Sequence, residues 1–198
     1  MIDLQSLADD FAAALAAADA RRPVAINQRT KQPFQPGIGP HSDAQAVRLA
    51  VAEMQAAHFA RYSGVSFDVP YPDKLRQKCD LLVAGVSEAL FIECKLLRIL
   101  GDNGKPNDNM FMHILSPNPQ HRSALTDCQK LRQSGFDGCK AILIFGYEGS
   151  GWPLEPAIDA FEVIAEKQGS LGPRSSASFS GLCHPVHTSG EVFIWKVF

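Results

Sequence analysis

The sequence predicts an α/β fold in which a mixed β-sheet is flanked by helices, with an extra N-terminal helix and a C-terminal hairpin. Apolar residues recur at helical spacing in several segments, and short apolar or alternating runs lie between these segments. Hydrophobic residues make up 45% of the 198 residues, which is enough for one substantial core. We expect an N-terminal helix and arm over residues 1–40 and one compact domain over residues 41–198.

The individual elements follow from periodicity and from terminal residues. Ser42 and Gln45 have the spacing of a capping box, and Gly135 is expected to end the helix predicted over 123–134. Two long loops are expected, at 98–120 and 168–180, because both are rich in Gly, Asn, Pro or Ser. The predicted helices cover 3–21, 42–62, 123–134 and 154–167, and the predicted strands cover 65–69, 79–84, 89–97, 141–145, 181–187 and 191–198.

Charge and cysteine usage exclude several classes of protein. The net charge is −2, so the chain as a whole does not favour nucleic acid or membrane surfaces. The segment 71–140 is slightly basic, however, with ten Lys or Arg and eight Asp or Glu. Five cysteines at irregular spacing fit neither a disulfide framework nor a zinc site, and they suit a reducing compartment. The chain lacks a signal peptide and a long apolar run, so we expect a cytoplasmic protein without a membrane contact.

Two charged residues lie on one face of a predicted central strand. In the segment 89–97, Glu93 and Lys95 alternate with apolar residues and so share a face. The preceding strand begins near Asp80, and an antiparallel turn at 85–88 brings the start of that strand beside the end of the next. Buried charges are costly unless they are paired or bind a metal. The carboxylates of Asp80 and Glu93 and the ammonium group of Lys95 are therefore expected to lie close together. Carboxylate oxygens are the ligands that Mg²⁺ prefers.

This pattern resembles the PD-(D/E)XK nuclease superfamily. Asp80 followed by Glu93-Cys94-Lys95, within the order helix, three strands, helix and strand, covers roughly residues 42–147. The resemblance implies a restriction-endonuclease-like core and a catalytic set of Asp80, Glu93 and Lys95. It also implies that Asp80, Glu93 and the backbone carbonyl of Cys94 hold Mg²⁺ or Mn²⁺, and that Lys95 serves the attacking water.

The pattern departs from the family in one place. Cys79 precedes Asp80, where the family often has Pro. A literal Pro72-Asp73 lies upstream, in a polar segment that we do not expect to start a strand. Asp80 is therefore preferred to Asp73, and a side chain of Asp80 directed away from Glu93 would reverse that choice.

Further residues are candidates for accessory roles. Glu53 lies on the helix before the sheet, and Asp127 and Lys130 lie on the helix after Lys95, where relatives often carry polar residues. A solvated helix face explains all three residues as well. Cys183, His184 and His187 form a short pattern for which we expect a structural role. The candidates for nucleic-acid binding are Lys74, Arg76, Lys78 and Arg122.

The expected function is a Mg²⁺- or Mn²⁺-dependent nuclease that hydrolyses DNA rather than RNA, in restriction, repair or defence. Loops of the chain, a second copy of it or another partner are expected to supply specificity. One alternative is an RNA nuclease, because the same fold serves both substrates. The other is a non-catalytic module for nucleic-acid binding or protein interaction that retains the fold.

Overall fold

A computed structural model describes residues 3–85, 88–149, 151–169 and 171–198. Their central feature is a six-stranded mixed sheet with the strand order β1-β2-β3-β4-β6-β5. Strands β3 and β4 are parallel, and the other neighbouring strands are antiparallel. The strands are β1 Val65–Tyr71, β2 Lys74–Ala84, β3 Ala89–Arg98, β4 Cys139–Glu148, β5 Ser175–Ser180 and β6 Ser189–Lys196.

Helices cover both faces of the sheet. The core on one face joins α1 and α2 to the sheet, and the core on the other face joins α5 and α6 to it. Residues of β4 alternate between the two cores, with Leu143 in the first and Ile142 in the second. The helices are α1 Leu4–Ala20, α2 Asp43–Ala57, α3 Phe59–Tyr62, α4 Met112–Leu115, α5 Ala124–Gln133 and α6 Glu155–Gln168. The α/β class with a mixed sheet between helices is thus confirmed.

The predicted capping box at the start of α2 is present, but Gly135 does not adopt the left-handed conformation of a C-terminal glycine cap, and Ser134, with an extended backbone, ends α5. Ser42 and Gln45 form a complete capping box at the start of α2. The hydroxyl of Ser123 caps α5 by accepting the backbone N–H of Thr126 at 3.3 Å. The prediction of one helix over 42–62 was wrong at its end, because His58 leaves helical geometry with φ −135° and ψ 51°. A separate four-residue helix, α3, follows it.

Two strand predictions require correction. Strand β2 begins at Lys74 and not near residue 79, because its first residues pair with β1 while their side chains stay exposed and show no hydrophobic pattern. Strand β5 lies inside the segment predicted as a loop, and its short side chains pack against α1 at the sheet edge. The predicted strand 181–187 is a loop, so the C-terminal hairpin consists of β5 and β6.

Two further predictions concern loops. The long segment after β3 contains the short helix α4 and a 3₁₀ turn at Pro119–His121. The predicted turn at 85–88 includes Val86 and Ser87, which lie outside the described residues.

Of the helices described, none is long and apolar enough to cross a membrane.

Candidate metal centre and nucleic-acid interface

A large cleft opens beside the first half of β2, the second half of β3 and helix α5. Its volume is about 1370 Å³, larger than the roughly 300–1,000 Å³ of typical small-molecule pockets. Seven Lys or Arg side chains and five Asp or Glu side chains line it. This balance contrasts with the net charge of −2 for the whole chain. The charged lining residues are Asp43, Lys74, Arg76, Lys78, Asp80, Glu93, Lys95, Arg98, Asp108, Arg122, Asp127 and Lys130.

The β2–β3 register brings Asp80 to Glu93. The paired residues end at Leu81 and Ile92, and one further step along both strands leads to Asp80 and Glu93. At this point Oδ2 of Asp80 accepts the backbone N–H of Cys94 at 2.8 Å, in place of a backbone carbonyl of the neighbouring strand. Both Asp80 and Glu93 line the cleft. Asp80 thus lies on the side of the sheet that its predicted role requires.

Glu93 is almost fully buried, with 2% of its surface exposed. Its Oε1 accepts hydrogen bonds from the hydroxyl of Tyr71 at 2.5 Å and from Nζ of Lys130 at 3.1 Å. The pKa of Glu93 is raised to about 8, first by burial and then by the charges of Asp127 and Asp80, while Lys130 and Tyr71 oppose the rise. An additional positive charge beside that of Lys130 would therefore favour the ionised form of Glu93.

Asp127 joins two lysines at the floor of the cleft. Its Oδ2 lies 2.5 Å from Nζ of Lys95, and its Oδ1 lies 2.5 Å from Nζ of Lys130. Both oxygens are buried, and neither has a directional hydrogen bond among the described residues, so we regard these contacts as coulombic ion pairs. Burial alone would lower the pKa of each lysine. The neighbouring carboxylates outweigh it and raise both values, so Lys95 and Lys130 stay protonated.

The free oxygens of the two acids suit a hard divalent cation. Within the described part of the chain, hydrogen bonds occupy only Oδ2 of Asp80 and Oε1 of Glu93, which leaves Oδ1 and Oε2 for a ligand. Groups of three or more His, Cys, Asp or Glu side chains that could hold an ion are absent from residues 3–85, 88–149, 151–169 and 171–198. A site of two carboxylates completed by water and substrate phosphate matches the usual binding of Mg²⁺.

The remaining candidates divide between the cleft and other places. Lys74, Arg76, Lys78 and Arg122 line the cleft, as do Asp127 and Lys130. Glu53 lies elsewhere, since its carboxylate pairs with Arg21 at 2.8 Å.

Asp73 and the histidines of the Cys183-His184-His187 pattern make contacts outside the proposed metal centre. Asp73 accepts the backbone N–H of Gly135 at 3.1 Å and lies outside the described lining of the cleft. In the C-terminal pattern, the rings of His184 and His187 stack at 4.7 Å, and Nε2 of His187 lies 3.1 Å from Oδ1 of Asp102.

Tyr71 was not a candidate in the sequence. It lies at the end of β1, where the pairing with β2 shifts between Pro70 and Tyr71. Such irregularities re-aim side chains, here towards Glu93. The only indication in the sequence was a Tyr at the end of an amphipathic strand. Its contact with Glu93 could not be predicted from the spacing of the residues.

Comparison of the chain with protein-family models, curated proteins and solved structures gave no match.

Proposed function

We propose that this chain is a divalent-metal-dependent nuclease that hydrolyses phosphodiester bonds, in DNA rather than RNA. The observation that carries the proposal is the meeting of Asp80, Glu93 and Lys95 in one cleft with a predominance of basic residues. The order α2, β1, β2, β3, α5 and β4 supports it, because it matches the order expected for a restriction-endonuclease-like core. The preference for DNA rests on the resemblance to the PD-(D/E)XK superfamily.

Asp80 Oδ1 and Glu93 Oε2 would hold Mg²⁺ or Mn²⁺, with the Cys94 carbonyl as the further ligand that the resemblance implies. Such an ion supplies a water of lowered pKa and stabilises negative charge on the phosphate. Lys95 is protonated, so it acts as a hydrogen-bond donor and a positive charge and not as the general base. Asp127 holds that ammonium group in place.

The basic side chains of the rim would hold the nucleic-acid backbone. Lys74, Arg76 and Lys78 alternate along β2, so they share a side of the strand, and all three line the cleft. Arg122 lines it from the turn before α5. Contacts of this kind position a nucleic acid without reading its sequence. The source of specificity, whether loops, a second copy or another partner, stays a prediction, as does a role in restriction, repair or defence.

A second candidate function is a non-catalytic nucleic-acid-binding or protein-interaction module. One observation favours it: Lys95 and Lys130 already pair with the buried acids Asp127 and Glu93. A module of this kind would keep the ion pairs for stability and would bind its partner without a divalent ion.

The deciding experiment incubates the protein with plasmid, linear duplex, single-stranded DNA and RNA in Mg²⁺, in Mn²⁺ and in chelator. We expect cleavage only with metal, and a loss of about 100-fold or more in Asp80→Asn, Glu93→Gln and Lys95→Met. Glu53→Gln is the matched control, because it removes the charge of an acid that is paired with Arg21 outside the cleft.

Substrate binding in Ca²⁺ separates the roles of these residues. Lys95→Met should keep its affinity for substrate, whereas Asp80→Asn and Glu93→Gln should bind Ca²⁺ more weakly. A wild-type protein that cuts none of the substrates and binds no divalent ion would establish the non-catalytic alternative.

A further inference from the structure

Tyr71 contributes a buried hydroxyl group to the wall of the proposed metal centre. Its side chain is 3% exposed, and its hydroxyl lies 2.5 Å from Oε1 of Glu93. The ring is held by Phe136, with ring centroids 4.8 Å apart, and Phe136 in turn stacks on Phe91 at 4.0 Å. The ring thus packs against aromatic side chains, and the hydrogen bond to Glu93 sets the direction of the hydroxyl.

The hydroxyl acts only as a donor towards Glu93. An ionised carboxylate only accepts hydrogen bonds, so the phenol O–H must be the donor in this contact. Its hydrogen bond and that of Lys130 both go to the same oxygen, Oε1. Oε2 is thereby left to a ligand, and the carboxylate cannot rotate without breaking both bonds.

We propose that Tyr71 is a positioning residue for the metal centre: its hydroxyl holds Oε1 of Glu93 so that Oε2, with Oδ1 of Asp80, is presented to the divalent ion. This inference rests on the proposed nuclease function. Outer groups that orient metal-binding side chains typically contribute about 10–100-fold in metal affinity. Lys130 cannot replace Tyr71 in this role, because its ammonium group also pairs with Asp127.

The test is the affinity for Mn²⁺ alone, measured by the paramagnetic resonance of free Mn²⁺, with Tyr71→Phe as the variant. We expect binding about 10–100-fold weaker than in the wild type, because the ring and its packing remain while the hydroxyl is lost. The matched control is Tyr62→Phe, which removes a hydroxyl bonded at 2.6 Å to another carboxylate, that of Asp10 on α1. Its Mn²⁺ affinity should equal that of the wild type.

A second variant separates positioning from packing. Phe136→Leu loosens the packing of the Tyr71 ring but keeps the hydroxyl, so it should lower the melting temperature and keep the Mn²⁺ affinity within about threefold. If Tyr71→Phe failed to fold, retained affinity in Phe136→Leu would support the proposal, and a loss of 10-fold or more, on the order of the orienting effect, would overturn it.

The outcomes also distinguish this inference from the proposed function. A wild-type protein that binds Mn²⁺, together with Tyr71→Phe of the same affinity, would overturn the role of Tyr71 alone. A wild-type protein without Mn²⁺ binding would overturn the metal centre and the role of Tyr71 with it.

Discussion

Asp127 is the residue on which the charges of the cleft depend. It is fully buried, and it is the shared partner of Lys95 and Lys130. The side chains of these lysines are 14% and 30% exposed. Removing one partner of a buried ion pair leaves the other as an uncompensated charge, which costs more than the pair itself contributes.

We expect Asp127→Asn to lower the free energy of unfolding by about 3 kcal/mol, near the low end of values for broken buried pairs. The low end applies because Lys130 keeps some contact with water and with Glu93. Urea denaturation measures the loss. Asp137→Asn is the control, since Asp137 is exposed just after α5 and should change stability by less than about 0.5 kcal/mol. Equal stabilities of the two variants would mean that the two ion pairs contribute nothing.

Part of this site could be predicted from single residues and part could not. Alternation along one strand was sufficient to place Glu93 and Lys95 on a common face, and the structure places both against the α5 layer. The pairing of Lys95 with Asp127 and not with Glu93 depends on the position of α5 over the sheet, which no local pattern specifies. The contact of Tyr71 depends on a shift of strand register, which is equally invisible in the sequence.

Among the elements, α1 is joined to the arm and to the loop before β6 through one buried acid. Asp19 is 1% exposed, and its two oxygens accept the backbone N–H groups of Ile38 at 2.8 Å and Cys183 at 2.6 Å. The arm approaches closely at Gly37, where an added Cβ would lie 2.8 Å from Oδ1 of Asp19. One side chain thus fixes two segments that have no strand pairing of their own at these positions.

Asp19→Ala should therefore destabilise the protein by about 2–5 kcal/mol, because it leaves two buried N–H groups without an acceptor. Thermal or urea denaturation tests this value. Asp9→Ala on the same helix is the control: Asp9 is exposed and bonds only Gln5 among the described residues, so its loss should be below about 0.5 kcal/mol. A destabilisation by Asp19→Ala no larger than that of the control would contradict the structural role.

Elements with an apolar period were predictable, and those without one were not. The four long helices and the buried strands β3 and β4 carry their own pattern of buried residues. The first part of β2 is exposed, and β5 consists mainly of serine, so both strands exist through pairing with a neighbour and not through burial of their own side chains. The loop 181–187 was mistaken for a strand because its buried residues face α1 and the arm.

The whole molecule contains a second cluster of polar residues, outside the proposed metal centre, in which the buried His184 and His187 lie beside Asp102. His184 is completely buried, and its Nδ1 accepts the backbone N–H groups of Val186 at 3.2 Å and His187 at 3.3 Å. An unprotonated Nδ1 is required for both bonds. His187, Asp102, Arg98 and Asp19 are the charged or titratable groups that act on this ring.

The pKa of His184 is lowered from 6.5, first by burial and then by His187, whereas Asp102 and Asp19 act in the opposite direction. The unfolded chain therefore binds this proton more readily than the folded chain. Stability from the neutral ring is fully present above pH 6.5 and is lost as the pH falls from 6.5 through the folded-state pKa.

The last prediction concerns this acid sensitivity. We expect the melting temperature of the wild type to fall between about pH 7.5 and about pH 5.5, and His184→Asn to fall less over the same range. Asparagine keeps an oxygen acceptor near the place of Nδ1 but has no proton to gain. His113→Asn is the matched control, because His113 is exposed on the short helix α4 and its replacement should leave the wild-type slope unchanged. If the slopes of all three proteins coincide, protonation of His184 does not limit stability in acid, and the buried carboxylates must account for the fall.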